Sequence, residues 1–139
     1  PEREAPALVL EVPALTPQLE ALAQRLSALD DGTLPGFQGD RAFLLDTSTL
    51  TCLYAQDKGV YARREDGEVF ALRFRLYELE ERFAGDGFVR ASKAVVGNLD
   101  RVRSLRPDFG GRLILTMDSG EKLFASRQYA GGIKEKLGI

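Results

Sequence analysis

The apolar positions of this chain follow two rhythms. Ala7, Leu8, Val9, Leu10 and Val12 form a short apolar run with β-branched members, which predicts a strand. Thr16 followed by Pro17 then marks a helix start. The hydroxyl can accept from the free N–H groups of the first turn, and proline in the first helical position forfeits no hydrogen bond. Leu19, Leu22, Ala23, Leu26 and Leu29 recur at helical spacing until Asp30, Asp31 and Gly32 close the helix. Residues 1–33 thus read as a strand–helix appendage with one apolar stripe and nothing within the segment large enough to cover it. The stripe is expected to pack on the following domain or on the same helix of a second copy.

From residue 34 the rhythm shortens to strands punctuated by turn residues. Residues 37–41 read as a hairpin tip leading into the apolar run 42–45, and residues 46–49 as a turn. Residues 50–55 read as a strand and 56–59 as a loop. Glu65, Asp66 and Gly67 between the runs 60–64 and 68–72 are a hairpin signal. A helix is predicted over residues 76–83, with Leu76, Leu79 and Phe83 on one face. Residues 88–90, 102–105, 113–117 and 122–125 read as further strands. Gly97 and Asn98 mark residues 94–100 as a tight turn or short helix. Ser126 is positioned to cap a last helix, with Tyr129, Ile133 and Leu137 on its inner stripe, although Gly131 and Gly132 weaken it. So many short strands at close spacing predict a mainly β fold, a sandwich with short helices.

Composition removes most chemistry. There is no histidine and a single cysteine, Cys52, so the usual zinc sites, His-assisted nucleophiles and an internal disulfide are all excluded. Cys52 lies in an apolar run and reads as a small buried filler. The acids show no catalytic spacing, and the chain is expected to be neither an enzyme nor a cofactor or metal binder. No apolar run approaches the roughly 20 residues of a membrane span, and a cytoplasmic protein is expected.

Net charge is −2. The distribution says more than the sum. Residues 1–40 hold two Arg against seven acids, whereas residues 88–139 hold ten bases against five acids. A polyanion feels the local face, because charges beyond a Debye length of about 8 Å are largely screened.

The basic segment carries Phe88-Val89-Arg90-Ala91-Ser92-Lys93, then Asn98-Leu99-Asp100-Arg101-Val102, then Gly120-Glu121-Lys122-Leu123-Phe124-Ala125-Ser126-Arg127-Gln128-Tyr129. Leu72 to Glu80 precede them as a helix entered from a strand. In this order, over roughly residues 34–139, the motifs resemble the LytTR family of DNA-binding domains. The resemblance implies an elongated antiparallel β-sandwich of the LytTR type that binds double-stranded DNA sequence-specifically. It also implies a transcriptional regulator of the stand-alone kind, without a receiver domain. Loops at the sheet edges, rather than a recognition helix, would enter successive major grooves.

Carried over to this sequence, the resemblance nominates three loops. The first lies near Gln56, Asp57, Lys58 and Gly59. The second holds Ser92 and Lys93, and the third Ser126, Arg127 and Gln128. Lys93 and Arg127 suit phosphate or guanine, and Gln128 can bond both edge groups of adenine. Arg90 and Asn98 are nominated as phosphate-facing or structural. The family usually has Ser where this chain has Ala94, so one phosphate-binding hydroxyl is absent. A homodimer is expected, paired through the N-terminal segment or on paired DNA sites. The competing expectation is a protein-interaction module of the same fold that no longer binds DNA.

Overall fold

The computed structural model describes the backbone of residues 9–11 and residues 32–139. The helix read over residues 16–29 lies outside them. The strands are β1 (Val9–Glu11), β2 (Thr33–Gln38), β3 (Arg41–Asp46), β4 (Leu50–Gln56), β5 (Gly59–Arg64) and β6 (Val69–Leu72), then β7 (Phe88–Ser92), β8 (Val95–Asn98), β9 (Val102–Pro107), β10 (Leu113–Met117) and β11 (Lys122–Ala125). The helices are α1 (Leu76–Arg82) and α2 (Arg127–Lys136). An eight-stranded sheet has the order β1-β3-β2-β6-β5-β4-β8-β7, and a three-stranded sheet the order β11-β10-β9. Every pairing is antiparallel. The mainly β, antiparallel architecture with short helices is the one the turn-punctuated pattern predicted.

Leu50, Thr51, Cys52 and Leu53 are all buried, an unbroken run where a one-sided strand would alternate. The cause is that β4 is covered on both faces. Leu50 and Leu53 join Phe70, Leu76, Leu79, Phe83, Phe88 and Val96 in a core beneath α1. Cys52 joins Ala91, Leu115, Met117, Leu123 and Ile133 in a second core between the large sheet, the small sheet and α2. The small sheet therefore forms the other layer of a sandwich. α1 begins where the Glu78 carboxylate accepts the Arg75 N–H at 2.8 Å, and its apolar face is the predicted Leu76, Leu79 and Phe83.

Two local expectations are corrected. Residues 94–100 are not one turn or short helix: Ala94 belongs to the β7–β8 turn. Residues 95–98 are β8, paired on one side with β4 and on the other with β7, and only residues 99–101 form a single 3-10 turn. Gly97 serves packing: a Cβ there would stand 3.2 Å from Leu123 Cδ1, so the glycine lets the small sheet approach. On α2 the fully buried positions are Ala130 and Ile133, and Tyr129 is half-buried.

Candidate nucleic-acid interface

Three strand ends meet at one end of the molecule. β4 and β5 are joined by Asp57 and Lys58, both left-handed, at φ 50° and 69°. A two-residue turn with two positive φ values matches the twist of its strands. Aspartate tolerates that conformation and lysine does so at a cost. The tip leaves Lys58 exposed.

The β7–β8 hairpin turns through Lys93 and Ala94, with a register irregularity between Arg90 and Ser92. Lys93 is exposed and Ser92 half-buried. Arg90 is turned inward: Nε and Nη2 donate to Glu80 Oε1 at 3.0 and 2.9 Å, and Nη1 donates to the Lys93 carbonyl at 2.7 Å. Its side chain is 15% exposed. Arg90 therefore braces the Lys93 turn against α1 and does not present a free cation.

The third element is the entry to α2. Ser126 occupies the N-cap position in an extended conformation, but its hydroxyl makes no capping hydrogen bond. Ser126 thus takes the expected cap position while its half-buried hydroxyl has no helix N–H partner. Arg127 and Gln128 follow in the first turn, both exposed.

Backbone hydrogen bonds stitch the three together. The Ala55 N–H donates to the Ala94 carbonyl at 2.9 Å, joining the first loop to the second. The Ser126 N–H donates to the Ala91 carbonyl at 2.8 Å, joining the third loop to the strand that carries the second. Lys58, Lys93 and Arg127 make no ion pair among the described residues. The β9–β10 loop reaches the same end, because Leu113 lies opposite both Pro107 and Ala125. A Cβ at Gly111 in that loop would stand 3.2 Å from Arg127 Cγ.

Asn98 is a correction. It is only 2% exposed and spends both ends of its amide inside the protein. Nδ2 donates to the Leu50 carbonyl at 2.9 Å, and Oδ1 accepts the Asp100 N–H at 3.1 Å. It ties β8 to the start of β4 and shapes the following turn, out of reach of a ligand at the surface.

At the opposite end of the molecule three arginines are held in ion pairs. Arg63 pairs with Glu121, whose Oε1 also accepts the Thr51 hydroxyl at 2.7 Å. Arg101 donates to the Ser48 carbonyl at 2.8 Å, pairs with Glu65, and pairs with Asp118 at 3.2 Å. Arg64 pairs with Asp66 at 2.9 Å. Burial, with the Glu121 charge adding to it, pushes the Cys52 thiol beside this network up to about 12. It is an inert filler at neutral pH. Among the described residues no group of three or more Cys, Asp or Glu could hold a metal ion, and no helix is long and apolar enough to cross a membrane.

A β-scaffold that brings exposed, unpaired cations together at neighbouring strand ends has the charge and shape expected of a nucleic-acid-binding module. Residues 40–138 match the LytTr DNA-binding domain family, and the chain belongs to that family. The LytTr DNA-binding domain of a Bacillus cereus protein described as a methyl-accepting/DNA response regulator superposes with a TM-score of 0.73. It is 25% identical, with 78% of this chain and 98% of that one covered. An uncharacterized HTH-type transcriptional regulator of Staphylococcus aureus (strain NCTC 8325 / PS 47) is 28% identical over 107 residues, 77% of this chain and 71% of its own length. Its counterpart in strain MRSA252 is 27% identical over the same length. Among the described residues α1 and α2 are separated by five strands, so they form no helix-turn-helix.

Proposed function

We propose that this domain recognises a specific double-stranded DNA sequence and regulates transcription by setting its strand-end loops into successive major grooves on one side of the duplex. Lys93 and Arg127 contact phosphate or guanine, Gln128 reads adenine, and Lys58, Ser92 and the free Ser126 hydroxyl bind flanking phosphates. Arg90 acts through Lys93, whose turn it braces.

One observation carries the reading. Hydrogen bonds from Ala55 to Ala94 and from Ser126 to Ala91 fix the three cation-bearing loops beside one another, and no carboxylate neutralises Lys58, Lys93 or Arg127 among the described residues. Such fixed spacing suits a repeating target, because the loops need not be ordered at the moment of binding. Two copies on paired sites would supply the ratio of about 10³–10⁷ by which specific sites exceed bulk DNA.

The test is fluorescence anisotropy on fragments selected from random DNA, at several salt concentrations. The expected result is a selected sequence bound far more tightly than bulk DNA, with log affinity falling by about 0.9 per neutralised phosphate for each decade of salt. Failure to enrich any sequence, with salt-independent binding, would turn the reading toward an interaction module that keeps the fold alone. Ala94 and the net charge of −2 favour that second reading.

A further inference from the structure

We infer that the end of β9 and the β9–β10 loop, residues 106–112, form a fourth DNA-contacting element, with Arg106 on a phosphate and Phe109 against the adjoining sugar edges of the same duplex. The inference rests on the DNA-binding reading above and extends its surface by one loop.

The register fixes the location. β10 begins at Leu113, which faces Pro107 on one side and Ala125 on the other, so the loop emerges beside Ser126. Gly111, at φ 84°, passes so close to Arg127 that a Cβ would stand 3.2 and 3.4 Å from its Cγ and Cδ. The loops therefore form a series: residues 56–59, then 93 and 94, then 126–128, then 108–112. A duplex lying on the first three meets the fourth if it continues in the same direction.

The chemistry fits that position. Phe109 is 86% exposed, more than any other large apolar side chain among the described residues. It is not a frayed side chain, because the loop around it is braced. The Asp108 N–H donates to the Arg112 carbonyl at 2.8 Å, the Asp108 carboxylate pairs with Arg112 at 3.1 Å, and Arg112 Nε donates to the Phe109 carbonyl at 3.1 Å. The same contacts neutralise Asp108. Arg106 is exposed, without an ion pair among the described residues, and lies across Ile114 from the exposed Phe124. An unpaired guanidinium at the end of β9 and a held-out aromatic three residues on thus share the segment that approaches Arg127 at Gly111. Guanidinium suits a phosphate oxygen, and an aromatic ring covers the apolar edges of the sugars beside it.

The full chain would be titrated with its selected DNA across a salt series and footprinted with hydroxyl radicals. Arg106→Ala is expected to weaken binding to all sequences alike and to reduce the salt slope by about 0.9. Phe109→Ala is expected to weaken binding about 5-fold with the slope unchanged, the scale of a small apolar contact. Both should shorten the footprint on the flank beyond the Arg127 contact. Both side chains are exposed, so circular dichroism should remain that of the parent. The inference is overturned if both variants keep the affinity, slope and footprint of the parent while Lys93→Ala and Arg127→Ala weaken specific binding; the DNA reading would then survive without it. It is equally overturned if Phe109→Ala removes self-association in sedimentation and leaves the footprint intact, which would assign the ring to a protein contact. If Lys93→Ala and Arg127→Ala are silent as well, the DNA reading itself has failed.

Discussion

Three cations at one end of the β-scaffold and three arginines at the other are used in opposite ways. At one end Lys58, Lys93 and Arg127 stand exposed without ion pairs among the described residues. At the other, Arg63, Arg64 and Arg101 each meet a carboxylate, and Glu121 and Asp118 tie the small sheet to the large one. A net charge of −2 averages these ends and describes neither. Paired cations hold layers in register, while unpaired ones remain available to an outside anion. The comparison therefore separates cations spent on architecture from cations left open to solvent.

The largest effect expected from breaking it is at the open end. Lys93→Ala and Arg127→Ala should each cost on the order of 1–3 kcal/mol of specific DNA affinity, and the double variant should bind selected DNA no better than bulk DNA. Arg64→Ala removes the same charge at the closed end and should leave affinity within about twofold, since surface charges beyond a Debye length are screened. Equal losses in all three variants, measured by anisotropy, would mean that the ends do not differ in function.

The next effect belongs to the closed end. Glu121 is 18% exposed, pairs with Arg63 and accepts the Thr51 hydroxyl. Glu121→Ala leaves a buried hydroxyl and a half-buried guanidinium without their shared partner. Urea unfolding should show a loss of about 1–3 kcal/mol. Because the joint spaces the two sheets, this variant should also discriminate less between selected DNA and versions with one base pair inserted between groove contacts, although Glu121 touches no DNA.

Much of this was legible in the chain, and the failures have physical causes. Strands bounded by Asp, Gly and Asn were readable because turn chemistry is local: Glu65, Asp66 and Gly67 sit between β5 and β6 as expected. Basic residues at strand ends, such as Lys93 and Arg127, were readable because an exposed position announces itself by polarity. Gly97 misled because glycine has two uses, and here it admits Leu123, which leaves no local mark. Asn98 does shape a turn, through the Asp100 N–H, but its second bond, to a carbonyl 48 residues away, has no local sign. Arg90 read as either phosphate-facing or structural because its partner, Glu80, lies on a helix in a separate segment. The Gly111–Arg127 approach depends on strand register alone, so no spacing in the sequence carries it.

A smaller effect sharpens the comparison within the open end. Lys58 holds φ 69° at the tip of the first loop, a conformation that costs a side-chain-bearing residue about 1 kcal/mol. Lys58→Gly should raise stability by up to about that amount, since glycine adopts the conformation freely, while weakening DNA binding and reducing the salt slope by about 0.9. Stability and affinity moving in opposite directions would mark a residue kept for its charge. A variant that is more stable and binds equally well would remove Lys58 from the recognition surface.

The smallest effect lies at the closed end and depends on pH. Asp66 accepts from Arg64 Nε at 3.1 and 3.0 Å and from the Glu68 N–H at 3.0 Å. The hydrogen bonds from Arg64 hold its carboxyl below the ordinary carboxylate range, with slight burial opposing them. A depressed folded value means that the unfolded chain takes up the proton first. The stabilisation is therefore complete at neutral pH, above the ordinary carboxylate value, and drains away as acid carries the pH down through the folded value. The pair is half exposed, so solvent screening limits it to a fraction of a kcal/mol. Asp66→Asn should lower the thermal midpoint slightly at pH 7, and the difference from the parent should close on acidification. DNA affinity at neutral pH should not change, because the hairpin of residues 64–68 lies at the end of β5 opposite Lys58. A change in affinity without a change in midpoint would show that the two ends are coupled, and the division of labour between paired and unpaired cations would then be wrong.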